Sequence, residues 1–200
     1  MSLALKLVLA PVLVAQAVRT RRRAPVLPEA AGPRQGRVGQ GEDVLRLLIA
    51  GDSSAAGVGV PHQDQALAGH LTRALHHQTA RPVHWALHAR SGLTTHQVFA
   101  LLRSHALAPA DVAVVLTGVN DIIELVPTRR AVQQRAEMAD WLLADGRASH
   151  VVFAPLPPVH RFPLLPEPLR RVMGDDARRH DDALARWAAA RSDVSHIHIA

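Results

Sequence analysis

The sequence predicts an α/β domain in which helices alternate with the strands of a doubly wound parallel sheet. Short apolar runs of strand length are separated by segments whose apolar residues recur at helical spacing, with glycine or proline between many of them. A chain of 200 residues, 48% of them hydrophobic, can bury one sizeable core. Because such sheets bind ligands at the carboxyl ends of their strands, the polar residues found there form the candidate site.

The first 43 residues precede this alternation. Residues 3–18 are apolar, with one lysine, Lys6, and one proline, Pro11. The arginine-rich residues 19–23 follow them. A bilayer span needs about 20 apolar residues, and a secretory signal carries its positive charge before the apolar run. We therefore expect residues 1–23 to form an arm that inserts into the inner leaflet or lies along it, or else a short helix packed on the domain. Residues 24–43, rich in Pro, Gly and Arg, are predicted to be a linker.

The location expected from this arm is the cytoplasmic side of the inner membrane, or the cytoplasm. The formal charge is +6, but the densest basic run lies in the arm and the other arginines are dispersed among acids. With only 3% aromatic residues to stack on bases, this pattern argues against nucleic-acid binding. The chain has no cysteine, and the spacing of its histidines suggests no metal cluster, so we expect neither metal nor cofactor.

The domain is expected at residues 44–200, and its elements alternate along the chain. Apolar runs predict five strands, at residues 45–50, 83–89, 111–116, 151–154 and 194–199. Apolar residues at helical spacing predict helices after Pro61, after Thr94 or Thr95 as the cap, and from Thr128 to Gly146. A proline-rich loop, residues 155–168, precedes a last helix that Asp175 or Asp176 is expected to cap.

A glycine-rich segment follows the first predicted strand and precedes a helix. It reads Gly51-Asp52-Ser53-Ser54-Ala55-Ala56-Gly57, and its small residues leave the backbone open to a substrate. Ser53 at this position is a candidate nucleophile, although a serine there can also serve merely as a helix cap. A phosphate-binding loop is excluded, because the Gly-Lys-Ser/Thr ending and the G-x-G-x-x-G spacing are both missing.

Two more polar turns are expected at the same edge of the sheet. Ser91-Gly92 follows the second predicted strand and Gly118-Val119-Asn120-Asp121 follows the third. The backbone amides of Ser53 and Gly92 and the side-chain amide of Asn120 can then point at one developing oxyanion. Taken singly, each segment is an ordinary turn.

The order G-D-S, then S-G, then G-x-N-D, each after its own strand, resembles the first three motifs of the SGNH (GDSL-type) hydrolases over about residues 45–200. The resemblance implies a flavodoxin-like three-layer α/β/α sandwich with a five-stranded parallel sheet. It makes Ser53 the nucleophile and Gly92 and Asn120 its oxyanion partners. It further implies an esterase or lipase that hydrolyses small-molecule acyl esters through an acyl-enzyme, without a cofactor.

The last motif of that family, Asp-x-x-His, has one literal counterpart, Asp193-Val194-Ser195-His196. We expect it at the wrong end of the fifth strand, and His198 and His160 are weak substitutes for the general base. The sequence therefore suggests a C-terminally shortened hydrolase whose turnover is impaired. A non-catalytic, membrane-associated binding module and a base supplied by another chain are the alternatives.

Overall fold

The protein is described by a computed structural model that covers residues 3–144 and 147–197. Its centre is a six-stranded sheet in the order β1-β3-β2-β4-β5-β6. The strands are β1 (Gln35–Val38), β2 (Leu45–Gly51), β3 (Val83–Ala89), β4 (Ala110–Leu116), β5 (Ala148–Phe153) and β6 (Val194–His196). The fifth strand was predicted at residues 194–199. Residues 198–200 lie outside the described part, so the prediction for residues 198 and 199 is not tested.

The five predicted strands are confirmed as one parallel sheet. Their order across the sheet is β3-β2-β4-β5-β6. If these five strands are numbered 1 to 5 along the chain, this is 2-1-3-4-5, the flavodoxin-like order, in which a ligand site forms where the order reverses. In the register of the sheet, Gly51 of β2 lies opposite Ala89 of β3 on one side and Leu116 of β4 on the other. The carboxyl ends of these three strands are therefore level, and the turns that follow them start side by side.

The sixth strand, β1, comes from the segment predicted to be a linker. It pairs antiparallel with β3, with Gly36 opposite Trp85. Its side chains are mostly exposed, so it lacks the apolar pattern by which strands are recognised in a sequence. What holds it is the backbone ladder on the free edge of β3, an interaction that leaves no compositional signal.

Helices cover both faces of the sheet, which confirms the three-layer α/β/α architecture. One face carries α4 (Thr95–Arg103), α6 (Thr128–Leu143) and α7 (Leu169–Ala188), which share a core with β4, β5 and β6. The short α2 (Ser53–Ala56) and α3 (Leu67–Thr79) pack on the opposite face of β2 and β3. The remaining helices are α1 (Leu3–Arg23) and α5 (Val119–Ile123).

The helix starts test the predicted caps. Thr94 caps α4 as one of the two expected residues, and Gln97 completes a capping box with it. The prediction that Asp175 or Asp176 caps the last helix is wrong, because α7 begins earlier, at Leu169. The Leu169 amide donates to Gln16 Oε1 of α1 at 3.1 Å. The first backbone amide of α7 is thus satisfied by a residue distant in sequence. For α6, the predicted end at Gly146 lies outside the described residues.

The arm forms α1, and part of it packs on the domain. Gln16 Nε2 donates to the Glu167 carbonyl at 2.6 Å, and Leu13 joins an apolar cluster built mainly from α5, α7 and the loop before α7. Within the described ranges, none of the helices combines the length and apolar character that a bilayer crossing requires.

Candidate active site

The turns after β2, β3 and β4 meet at the carboxyl edge of the sheet. The Asp52 amide donates to the Leu116 carbonyl at 3.0 Å, and the Arg90 amide donates to the Gly51 carbonyl at 3.2 Å. The first bond ties the β2 turn to β4, and the second ties the β3 turn to β2. The three segments that carry Ser53, Gly92 and Asn120 therefore leave the sheet as neighbours.

Ser53 is the first residue of α2, and Asp52 is its cap. The Ser54 amide donates to Asp52 Oδ1 at 3.0 Å, so the capping role that Ser53 was able to take belongs to Asp52. Ser53 is half-buried. Within residues 3–144 and 147–197, no hydrogen bond involves its hydroxyl or its backbone amide, as expected for an amide in the first turn of a helix. Both groups are available to a substrate.

Gly92 lies exposed in the turn between β3 and α4. Its φ of +82° is in the left-handed region, which explains the glycine. In the described part of the chain its backbone amide has no acceptor, whereas the neighbouring Ser91 amide donates to Glu29 Oε1 at 2.6 Å. Arg34 in turn binds Glu29 and the Ala89 carbonyl. The predicted linker thus holds the Gly92 turn in place, a role that its sequence did not reveal.

The Asn120 side chain joins all three turns. Its Nδ2 donates to the Leu93 carbonyl at 3.0 Å, beside Gly92, and lies 3.5 Å from Asp52 Oδ2, beside Ser53. The Asn120 amide has two N–H donors. Its contact with Leu93 is of ordinary length, whereas its contact with Asp52 is long. The structure therefore brings together the three residues that the sequence singled out.

Asp52 gives the site a buried carboxyl group. Its carboxyl is almost fully buried, and burial raises its pKa above the usual value, an effect that the hydrogen bond from Ser54 opposes. Asp121 and Arg135 contribute smaller charge effects of opposite sign. A buried carboxyl at this turn disfavours a bound phosphate, in agreement with the exclusion of a phosphate-binding loop.

Sequence reasoning missed a buried polar group directly beneath these turns. The Asp121 carboxylate accepts from the Thr95 amide at 2.8 Å and from Thr95 Oγ1 at 2.6 Å, and it pairs with Arg135 Nη2 at 3.1 Å. The signal was present. On α6 the buried line runs through Ala131, Arg135, Met138 and Leu142, so a cation lies on the apolar face of the helix.

The literal Asp-x-x-His segment does not form a pair. Asp193 binds the Arg191 guanidinium at 2.8 and 2.9 Å, whereas His196 Nε2 lies 2.9 Å from Asp181 Oδ1 of α7. Asp193 stands before β6 at its amino end, as expected. His196 is on β6, three strands from β2, which corresponds to about 14 Å across the sheet.

The described residues show no contact between Ser53 and the other candidate bases. His160 lies exposed in a 3-10 turn, Val159–Arg161, and its backbone packs against Gly174 of α7. His198 lies outside the described residues. Among the residues that the structure does describe, no group of three His, Asp or Glu side chains is arranged to hold a metal ion.

Solved structures of similar fold include several lipolytic enzymes. The SGNH-hydrolase family esterase AlinE4 is 20% identical, with a TM-score of 0.60 over 80% of this chain and 77% of that one. The lipase Lip_vut3 from a goat rumen metagenome is 20% identical, with a TM-score of 0.59 over 77% and 80%. A G-D-S-L family lipolytic protein from Veillonella parvula DSM 2008 is 14% identical, with a TM-score of 0.57 over 76% of each chain. At these identities the likeness establishes the fold.

The family assignment comes from the sequence. No curated protein matches the chain. The sequence pattern of the GDSL-like Lipase/Acylhydrolase family matches residues 49–199, a stretch that begins inside β2 and includes all three turns of the site. The chain therefore belongs to the GDSL-like lipase/acylhydrolase family, the SGNH hydrolases that its three motifs resemble.

Proposed function

We propose that this protein is a serine ester hydrolase that cleaves small-molecule acyl esters through an acyl-enzyme on Ser53. The observation that carries the proposal is the position of Asn120, whose amide contacts the turns of both Ser53 and Gly92. An ester hydrolase fits the family, and the unbonded amides of Ser53 and Gly92 supply two further donors for one oxygen.

The chemistry proceeds in two steps. Ser53 Oγ attacks the ester carbonyl carbon and passes its proton to solvent water, and the carbonyl oxygen becomes an oxyanion that the two backbone amides and the Asn120 side chain stabilise. Collapse of this intermediate breaks the carbon–oxygen bond to the alcohol, which takes up a proton and leaves the acyl group on Ser53. Water then attacks the acyl-enzyme, releases the carboxylic acid and restores the hydroxyl.

The proton of Ser53 needs an acceptor for fast turnover. In the described residues no imidazole is hydrogen-bonded to Ser53. His196 lies on β6, three strands from β2, and contacts Asp181 of α7. Without a general base, a serine hydrolase retains only about 10³- to 10⁴-fold acceleration over water. We therefore propose that this chain turns over slowly. A non-catalytic binding module is the outcome if Ser53 proves unreactive.

A covalent probe tests the nucleophile. Incubation of the protein with a fluorophosphonate is expected to add one phosphonyl group, which peptide mass spectrometry places on Ser53. The adjacent, exposed Ser54 provides the control: Ser54→Ala keeps the label and Ser53→Ala loses it. A parent protein that takes up no label, or a label on another residue, would contradict the proposal.

We propose that exposed apolar side chains of α5 and of the proline-rich loop contact the acyl group. Ile123, three residues after Asn120, is 48% exposed, and Leu164 of the proline-rich loop is 46% exposed. This loop also sends Val159 and Leu165 into the apolar cluster beneath α5. Exposed apolar side chains at the mouth of a site favour an acyl chain over a polar substituent. The loop can equally act as a rigid crossover.

The arm supports a further proposal, contact with an anionic lipid surface. Among the α1 side chains that the structure describes, one stripe, including Leu13 and Gln16, contacts the domain, while Val8, Val12, Val14 and Val18 are 46–76% exposed. The last turn of α1 is basic, and α1 (Leu3–Arg23) contains no acidic residue. An unpartnered apolar face that ends in arginines complements the acyl chains and headgroups of an anionic leaflet.

Vesicle binding tests this contact. Sedimentation with phosphatidylglycerol-containing vesicles is expected to pull down the parent protein, and vesicles of phosphatidylcholine alone are expected to bind it at least about tenfold more weakly. Replacing Arg21, Arg22 and Arg23 by Gln should remove this difference. Replacing Arg129 and Arg130, exposed cations on α6, should leave it intact. Equal binding to both vesicle types would refute the proposal.

A further inference from the structure

One buried cation lies beneath the candidate oxyanion hole. The Arg135 side chain is 2% exposed and its partner Asp121 is 0% exposed. Burial lowers the pKa of the Arg135 guanidinium, and the Asp121 charge opposes that shift. An arginine remains protonated even so, and the desolvation of both charges costs free energy that their attraction often fails to recover. Stability alone therefore does not explain the pair.

The contacts of Arg135 bracket the Asn120 turn. Its Nη2 donates to the Thr117 carbonyl at 3.0 Å, just before the turn, and to Asp121 Oδ2 at 3.1 Å, just after Asn120. Its Nη1 donates to the Ala131 carbonyl at 3.1 Å, which anchors the guanidinium to α6. Gly118, with φ +130°, lies so close that a Cβ there would overlap Nη2. The guanidinium therefore fills the space against which this turn is folded.

The same ion pair reaches the Gly92 turn. Asp121 accepts two hydrogen bonds from Thr95, at the start of α4, and Thr95 follows Gly92 by three residues. Asn120 closes the loop of contacts by donating to Leu93, the residue after Gly92. One carboxylate, oriented by one guanidinium, thus fixes the spacing between the two turns that carry the oxyanion donors.

We propose that Arg135 is a positioning residue, which acts through Asp121 to hold Asn120 at a set distance from the Gly92 turn. This inference rests on the proposed oxyanion role of Asn120. Donors stabilise a developing charge only when they are already in place, and a misplacement of about 1 Å can lower a rate about 100-fold. The chemistry is done by Ser53, Gly92 and Asn120, while Arg135 touches none of the reacting atoms.

The test removes the charge without leaving its partner unpaired. The double variant Arg135→Met and Asp121→Ser replaces the ion pair by neutral side chains that are no larger, so it should fold where either single change strands a buried charge. We expect kcat for 4-nitrophenyl acetate to fall about 10- to 100-fold with KM changed by less than about threefold. Arg130→Met, an exposed change five residues earlier on the same helix, should leave kcat unaltered.

A second readout does not depend on turnover. Asn120 is the only asparagine in the chain, so selective 15N-asparagine labelling gives a single pair of side-chain amide signals. In the parent these signals should be shifted and protected by the bond to Leu93, and in the double variant they should move to the values of a free side chain. A folded double variant with unchanged signals and unchanged kcat would overturn the inference. If the signals move while Ser53 proves unreactive in the parent, the proposed function fails and the positioning role stands.

Discussion

Asn120→Ala is expected to lower kcat by about 100- to 1,000-fold while KM changes little, because removing one oxyanion donor weakens the transition state more than the bound ester. The alanine deletes the only side-chain donor among the three groups proposed to bind the oxyanion. The measurement is steady-state hydrolysis of 4-nitrophenyl acetate, with folding checked by circular dichroism.

Two further variants make this result specific. Gln133→Ala deletes an exposed amide whose partner is Glu137, and it should leave kcat at the parent value. Asn120→Asp keeps the shape and replaces a donor by a negative group near the buried Asp52, so it should be at least as damaging as alanine. If Asn120→Ala retained kcat within about threefold of the parent, the amide would have no part in an oxyanion hole.

Phe153→Ala is expected to reduce the free energy of unfolding by about 3–5 kcal/mol. Phe153 is fully buried at the end of β5 and stacks edge-on with Trp187 of α7 at a centroid distance of 6.2 Å. Removing its ring leaves a cavity where the sheet meets α7. Urea denaturation followed by tryptophan fluorescence measures the change.

Phe99 provides the matched comparison. It also stacks edge-on with a tryptophan, Trp141, at 5.7 Å, but it is only partly buried. Phe99→Ala should therefore cost clearly less than Phe153→Ala, because less apolar area is lost and water can fill the gap. Equal losses would show that burial does not set the difference between the two phenylalanines.

Much of the sheet could be predicted because buried parallel strands are nearly continuous apolar runs. β3 was predicted at its observed limits, and β2 and β4 to within one residue at either end. β1 was missed because an exposed edge strand depends on backbone bonds to β3 and has no apolar pattern. The start of α7 was missed because its first amide is satisfied by Gln16, about 150 residues earlier in the chain.

The candidate site divides in the same way. Ser53, Gly92 and Asn120 were identifiable because small and polar residues followed strands in a recognisable order. The ion pair of Arg135 and Asp121 was missed: the position of Arg135 on the apolar face of α6 signals a buried charge, but it does not identify the partner. The pairing of His196 with Asp181, instead of Asp193, likewise depends on where α7 lies against β6.

The pairing of β1 with β3 has a consequence for where the functional unit begins. A protein shortened to residues 44–200 would lose β1, Glu29 and Arg34 together. β3 would then present an unpaired row of amides and carbonyls, a template on which a second molecule can add its own strand. The Ser91 amide would lose its carboxylate at the same time. Self-association and a loosened Gly92 turn would arise from one deletion, so the upstream segment is part of the fold that holds the candidate site.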